Sequence, residues 1–437
     1  MKQFCLISAP PDTYSGYGAR SRDFIKALYE LKKDEWDIVI LPQRWGVTNW
    51  GFLETNKEDW GWMLDLFAKA PITRQPDVWI QVTVPNEFQA VGKVNIGVTA
   101  GIETTICDPS WIDGCNRMTV TLVSSNHAKR VFETSAFDQK DQQGNIVRNI
   151  KLEKPVEVLF EGVDLNKYFS IPQEELPKTE LIESLDSIKE SFNYLFVGHW
   201  LQGELGQDRK DIGMLIKTFL EAFKGKKQKP GLILKTSSAT SCIMDRDEVL
   251  KKIDSIRHMV GTKDIPNVYL LHGDFEDSDI NNLYNHPKVK AMVSFTKGEG
   301  YGRPLAEFTL SKKPVIASGW SGHLDFLDSE YSVLLSGEVK QIHQSAVVQN
   351  MLIPESGWFT VDYKNATKVL QDVYEDYSKY EVGGKRQGHK IKTQFSYDNM
   401  VIFLKDYLDK YVPKQVQLKL PQLKKVELPK LQKVEQA

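Results

Sequence analysis

The stretch Ser294–Leu327 reads SFTKGEGYGRPLAEFTLSKKPVIASGWSGHLDFL and holds a complete strand–turn–helix–strand passage. An apolar strand closes at Thr296, then Gly298, Gly300 and Gly302 alternate with other residues, and Pro304 stands where a helix begins. Proline suits that place because its missing N–H would have had no partner in the first helical turn. KPVIAS then reads as the next strand. Strands joined through a helix run parallel. A glycine turn at the carboxyl end of such a strand turns backbone N–H groups towards a helix N-terminus, a setting that favours an anion such as a diphosphate.

The same alternation extends outward in both directions. FNYLFVGHW, GLILKTSS, NVYLLHG and KAMVSFT read as further strands, with MLIKTFLEAF as a helix. Upstream, Phe4–Ala9 is a short buried-type strand leading into a turn at Ser15, Gly16 and Gly18, and Phe24, Ala27, Leu28 and Leu31 then recur at helical spacing. Strands follow at Trp36–Leu41, Val78–Val84, Val94–Thr99 and Thr119–Ser124. The expected fold class is α/β, with two tandem Rossmann-like domains facing across a cleft. The predicted organisation is an N-terminal domain over 1–172 with a hairpin insertion near 134–155, a polar linker over 173–191, and a C-terminal domain over 192–390. A helix at 391–412 follows, and then a tail over 413–437. That tail repeats LPQLKKVE as LPKLQKVE, with Pro413, Pro421 and Pro429 at a constant period that precludes a regular helix. It is basic, and reads as extended chain able to dock a partner.

Composition narrows the function classes. With 41% hydrophobic and 26% charged residues over 437 positions, the chain is globular and long enough for two cores. A formal net charge of -2 provides no global field for nucleic acid or anionic membrane. Cys5, Cys107, Cys115 and Cys242 match no zinc or redox spacing and read as reduced thiols. The opening MKQFCLISAPP is too short for a signal segment, and no run reaches the roughly 20 apolar residues of a membrane span, so a cytoplasmic location is expected.

Chemistry concentrates around the quoted stretch. Glu299 precedes the helix and Glu307 is expected in its first turn, where carboxylates beside a phosphate site make sense as acceptors for ribose and sugar hydroxyls. EGYGRPLAE, with Glu299 and Glu307 separated by seven residues, followed by KPVIAS, a glycine pair and an acidic residue, resembles the donor signature of family 4 glycosyltransferases of GT-B fold. The resemblance extends to FVGHW and DRKDIGMLIKTFLEAF, to SGYGARSRDF, to GVTAGIETTICDPSW, and to VEVLFEGVDLNKYF. It implies that Glu307 binds the nucleotide ribose and that Glu299 contacts the transferred sugar. Arg209 and Lys210 would clamp the diphosphate. Gly298, Gly300, Tyr301, Gly302 and Arg303 would line the donor, with Gly198 from the second domain and Gly16 and Gly18 from the first. Glu103 stands where many members carry a histidine, and His199 reads as structural.

The implied reaction is retaining transfer of a hexosyl or pentosyl group from a nucleotide sugar, in all expectation a UDP-sugar, used as co-substrate without a further cofactor. Fixed cations meet the charge that develops on the leaving group. The stretch Ser294–Leu327 has no Asp-x-Asp triad to hold a metal against the phosphates, so metal independence is expected. A saccharide and a hydroxylated base in DNA, as in phage-type transferases, both fit as acceptors. Trp45, Trp50, Trp60 and Trp62 offer faces for stacking, or for core packing. A non-catalytic sugar-nucleotide-binding protein and a sugar-nucleotide epimerase share the fold and stand as the alternatives.

Overall fold

The computed structural model describes residues 2–238 and 241–414. The docking tail expected from the repeat falls, from residue 415 onward, outside the described residues. Runs rich in Val, Ile and aromatic residues form strands where both faces can be buried. Along the N-terminal half these are β1 (Gln3–Ala9), β2 (Trp36–Pro42), β3 (Val78–Val82), β4 (Val94–Val98), β5 (Val120–Val123), β6 (Ala136–Lys140), β7 (Ile146–Lys151) and β8 (Val156–Val158). Six of them form a parallel sheet in the order β2-β1-β3-β4-β5-β8, while β6 and β7 pair antiparallel as a separate hairpin.

The C-terminal half repeats the scheme with β9 (Asn193–Val197), β10 (Gly231–Lys235), β11 (Val268–Leu271), β12 (Val289–Ser294), β13 (Val315–Ser318) and β14 (Val333–Leu335). Their order is β11-β10-β9-β12-β13-β14, again all parallel. β15 (Gly337–Gln341) and β16 (Gly357–Val361) form a small antiparallel ribbon beside this sheet. The α/β class and the two Rossmann-like sheets therefore stand as read. In each sheet the strand order reverses next to its first strand, between β1 and β3 and between β9 and β12. Such switch points open a crevice beyond the carboxyl ends of the strands, where ligands of this architecture bind.

Details depart from the expectation in two places. Hydrogen-bonded pairing in β12 stops at Ser294 rather than Thr296. Phe295 and Thr296 continue buried, and the Thr296 hydroxyl donates to the Gly298 carbonyl at 2.9 Å, so the chain turns before the glycines begin. The polar segment 173–191 carries a helix, Glu180–Asp186, whose N-cap Thr179 accepts the Ile182 N–H and whose Ile182 and Leu185 are buried. Only Leu181, Ile182 and Leu185, three apolar residues in a polar stretch, signalled it.

The helix Tyr397–Tyr411 returns to the first sheet. Its Tyr397 hydroxyl donates to Glu30 at 3.0 Å, and its Tyr407 hydroxyl donates to the Val158 carbonyl at 2.9 Å. Met400, Leu404 and Leu408 are buried along one face. None of the helices is long and apolar enough to cross a membrane, among the described residues.

Candidate active site

The second switch point is built by two loops. One follows β9 from Gly198 to Asp211, and the other follows β12 from Phe295 to Gly302. Between them, Arg209, Lys210, Glu299 and Glu103 form one ionic cluster. Lys210 Nζ contacts Glu299 Oε1 at short range, and Arg209 Nη1 lies 3.2 Å from Glu103 Oε1 and 3.6 Å from Glu299 Oε2. Arg209 also donates to the Gly298 carbonyl at 3.3 Å. Two cations meet two carboxylates, so none of these half-buried charges is left without a counter-charge. Burial opposes ionisation of Glu299, but Lys210 and Arg209 outweigh it and hold the carboxyl below its ordinary range. Burial likewise draws the Lys210 ammonium down, with Glu299 resisting.

Glu103 reaches this cluster from the first domain, on the loop after β4. The close approach of the two domains explains two of the glycines. A Cβ on Gly298 would fall 2.1 Å from the Glu103 carbonyl oxygen, and one on Gly300 would fall 2.6 Å from that of Ala100. Gly302 has φ 99, a left-handed conformation that glycine adopts without strain, and it precedes the helix Arg303–Thr309 with Pro304 in its first turn. The N–H groups of Gly300, Tyr301 and Gly302 make no hydrogen bond among the described residues. Glu299 N–H donates to Ser321 Oγ at 2.9 Å, which ties the loop to the turn after β13.

The remaining predicted residues separate. Glu307 lies one turn into the helix rather than in its first turn, where its Oε1 accepts from Arg303 Nε at 2.6 Å. The helix starts at Arg303, with Pro304 in its first turn as expected, because the chain is still in the left-handed region at Gly302. Arg303 in turn pairs with Asp23 of the first domain at short range. Tyr301 is buried against Phe326 with ring centroids 4.9 Å apart. Gly198 donates its N–H to the Lys235 carbonyl at 3.1 Å, and its Cα faces the Lys210 side chain.

Gly16 and Gly18 sit at the first switch point, where the Ser15 hydroxyl accepts the Gly18 N–H at 2.9 Å and so caps the helix Gly16–Lys32. Tyr17, between them, links this turn to the site: its hydroxyl lies 2.8 Å from Thr99 Oγ1 and accepts the Ala100 N–H at 3.3 Å. His199 is solvent-exposed, with Nδ1 3.4 Å from Ser237 Oγ.

The tryptophans divide. Trp60 is buried, and Trp62 packs on Tyr29 with centroids 4.8 Å apart. Trp45 stacks on Tyr17 at 3.9 Å, and Trp50 is 37% exposed beside Arg44. Trp45 borders the site through Tyr17, and Trp50 follows Asn49, whose side-chain amide donates to Asp274 of the second domain at 2.7 Å. Sequence reasoning missed Tyr17, Asp211 and Lys297, which hold the loops around the cluster, and Asp23, which pairs with Arg303. Lys297 stood in plain view as a lone cation inside a glycine turn.

No family model matches this chain, and no curated protein matches it. Solved structures do. The Anabaena protein HepE in complex with UDP and glucose superposes with a TM-score of 0.61 at 13% identity, covering 93% of this chain and 100% of the other. A glycosyltransferase from Rickettsia africae gives 0.61 at 13% identity, covering 95% and 100%. Sucrose-phosphate synthase from Thermosynechococcus elongatus gives 0.59 at 11% identity, covering 94% and 99%. The fold is GT-B. The likeness spans 93–95% of this chain and 99–100% of each of the others, so it takes in both sheets.

Proposed function

We propose that this chain is a retaining glycosyltransferase that moves a hexosyl or pentosyl group from a UDP-sugar to an acceptor hydroxyl. The observation that carries the reading is the Arg209–Lys210 pair held at a GT-B switch point against Glu299 and the Gly298–Gly302 turn. A diphosphate entering there competes with Glu299 and Glu103 for the two cations and takes further hydrogen bonds from the loop amides. Glu299, released from Lys210, is free to accept from hydroxyls of the transferred sugar, and Glu307 from those of the ribose.

As the anomeric carbon–oxygen bond loosens towards an oxocarbenium-like state, negative charge grows on the diphosphate, where preorganised cations are most effective. The acceptor hydroxyl attacks the same face and passes its proton to the departing phosphate oxygen, so no protein nucleophile takes part. The charge compensation comes from side chains, and turnover is expected to survive excess chelator. Trp45 and Trp50 at the cleft favour a ring-bearing acceptor, a saccharide or a hydroxylated base in DNA.

The test is a thermal-shift and calorimetry panel of nucleoside diphosphates and their sugars, since a ligand that binds only the native state raises its melting temperature. Stabilisation by UDP and a UDP-sugar, with slow release of free sugar from the latter, supports the transferase. Binding with no turnover on any acceptor class identifies a binding protein, and conversion of the bound sugar identifies an epimerase.

A further inference from the structure

We infer that Lys297 and Asp211 are positioning residues for the Arg209–Lys210 pair, an inference that rests on the diphosphate role proposed for that pair. Lys297 sits two residues before Glu299, and its side chain is 1% exposed. Its backbone does two jobs: the N–H donates to the Arg209 carbonyl at 2.8 Å, and the carbonyl accepts the Phe359 N–H at 3.0 Å. Its side chain passes behind the loop to reach Asp211 Oδ2 at 3.4 Å and donates to Thr360 Oγ1 at 3.1 Å. One residue thus touches both ends of the three-residue segment Arg209-Lys210-Asp211 and braces it against β16.

Asp211 is an unusual choice for its place. It has φ 53 and ψ 36 at the N-cap of the helix Ile212–Phe223, a left-handed conformation that favours glycine and that Asp and Asn tolerate best among the rest. Its side chain does not cap the helix. Instead the carboxylate, with no exposed surface, accepts from the Tyr363 hydroxyl at 2.6 Å and faces Lys297. Glycine would relax the backbone, and burial of a carboxylate is costly without such partners. The side chain is therefore present for what it holds.

Held at the Arg209 carbonyl and at the Asp211 carboxylate, the segment has one residue between its anchors, Lys210. The direction of the Lys210 side chain, towards Glu299, follows from those two attachments. Positioning of this kind matters because preorganised charge is effective only where the leaving group develops its own.

The experiment titrates UDP, GDP and ADP into the full chain by calorimetry and continues with the tightest. Asp211→Gly keeps the left-handed backbone and deletes the carboxylate. Asp211→Asn/Lys297→Met removes both buried charges together, so that neither is stranded if the single variant unfolds. Each is made alone and combined with Lys210→Ala. The expected result is a loss of tenfold or more in nucleoside diphosphate affinity for each, with the double variant melting close to the parent and Asp211→Gly, which strands Lys297, melting lower. The loss should largely vanish in the Lys210→Ala background, because residues acting through one another are not additive.

Full affinity in Asp211→Gly and in the double variant, with a loss in Lys210→Ala, overturns the positioning role alone. Equal losses with and without Lys210 also overturn it, since they report general damage. Unchanged affinity in Lys210→Ala, or no binding of any diphosphate, overturns the diphosphate reading and this inference with it.

Discussion

Glu307 is a carboxylate enclosed by protein, one turn into its helix, with Arg303 as hydrogen-bonded partner. Burial pushes its carboxyl up to about 7, Arg303 pulls it down, and Asp277 adds to the rise. A carboxyl raised in the folded state stabilises most below its unfolded value near 4.5, and that contribution is lost as pH climbs through about 7. Ligand binding runs the other way, because the ionised form is the better acceptor for ribose hydroxyls. Affinity for a nucleoside diphosphate is therefore expected to fall as pH drops through about 7, and Glu307→Gln should flatten that dependence. Calorimetry at several pH values reads both; a profile identical in the two proteins would remove Glu307 from the donor site. The cation pair makes a separate prediction. Lys210→Ala is expected to lower turnover about a hundredfold or more, the range for one preorganised charge contact, with folding little changed. At this scale residue type and spacing singled out Arg209, Lys210 and Glu299, which the structure brings into one cluster, and Glu307, which it sets apart on Arg303. Asp23, which meets Arg303 from a position 280 residues away, leaves no local trace.

The elements were legible for a different reason. Parallel strands buried on both faces become continuous apolar runs, so VNIGV, GLILK and VKAMVS announced themselves. Their ends did not, because pairing stops where a neighbouring strand ends, and that depends on the sheet rather than the run. The helix Glu180–Asp186 escaped notice since two buried residues in a polar stretch carry little periodic signal. The turn after β12 shows what an element boundary can do. Gly298 brings its backbone so near the first domain that a Cβ would meet the Glu103 carbonyl oxygen at 2.1 Å, and a backbone oxygen cannot swing aside as a side-chain tip can. Gly298→Ala is expected to displace the Glu103 loop and cost about a hundredfold in turnover, the scale of a roughly 1 Å misplacement at a reacting centre. Far-ultraviolet circular dichroism should stay unchanged. Normal turnover would show that the loop yields without consequence. At the other end of the chain, Leu404→Ala in the returning helix is expected to cost about 2–5 kcal/mol, as a fully buried leucine does, read by urea unfolding.

For the whole molecule the question is what holds the two sheets' domains together without ligand. The Tyr397–Tyr411 helix ties them at the back, through Tyr397 to Glu30 and Tyr407 to Val158. Between the domains, polar ties (Asn126 N–H to Asp325 at 2.8 Å, Gly357 N–H to Thr105 Oγ1 at 2.8 Å, and the pairs Glu103–Arg209 and Asp23–Arg303) stand beside apolar contacts such as Tyr168 with Tyr284 and His127 with Trp320. The polar ties exchange readily with water, so they can be given up at the mouth of the cleft while the apolar contacts deeper in hold the domains together. Asp23 and Arg303 are the test case, since Asp23 is 9% and Arg303 22% exposed at the side chain. Breaking one partner of a buried pair within a rigid core typically costs about 3–5 kcal/mol because the other charge is stranded. Here the stranded Arg303 has an exit, for opening the cleft returns it to water while Glu307 still holds its Nε. Asp23→Asn is therefore expected to spend the lost interaction as opening rather than as unfolding. Small-angle scattering should show a larger radius of gyration for ligand-free Asp23→Asn than for the parent, at a similar melting temperature. A saturating nucleoside diphosphate should bring the two proteins together, because its contacts to both domains replace the missing pair. A parent-like radius of gyration together with a lowered melting temperature would mean that the pair belongs to a single rigid core, and that the cleft does not open by this route.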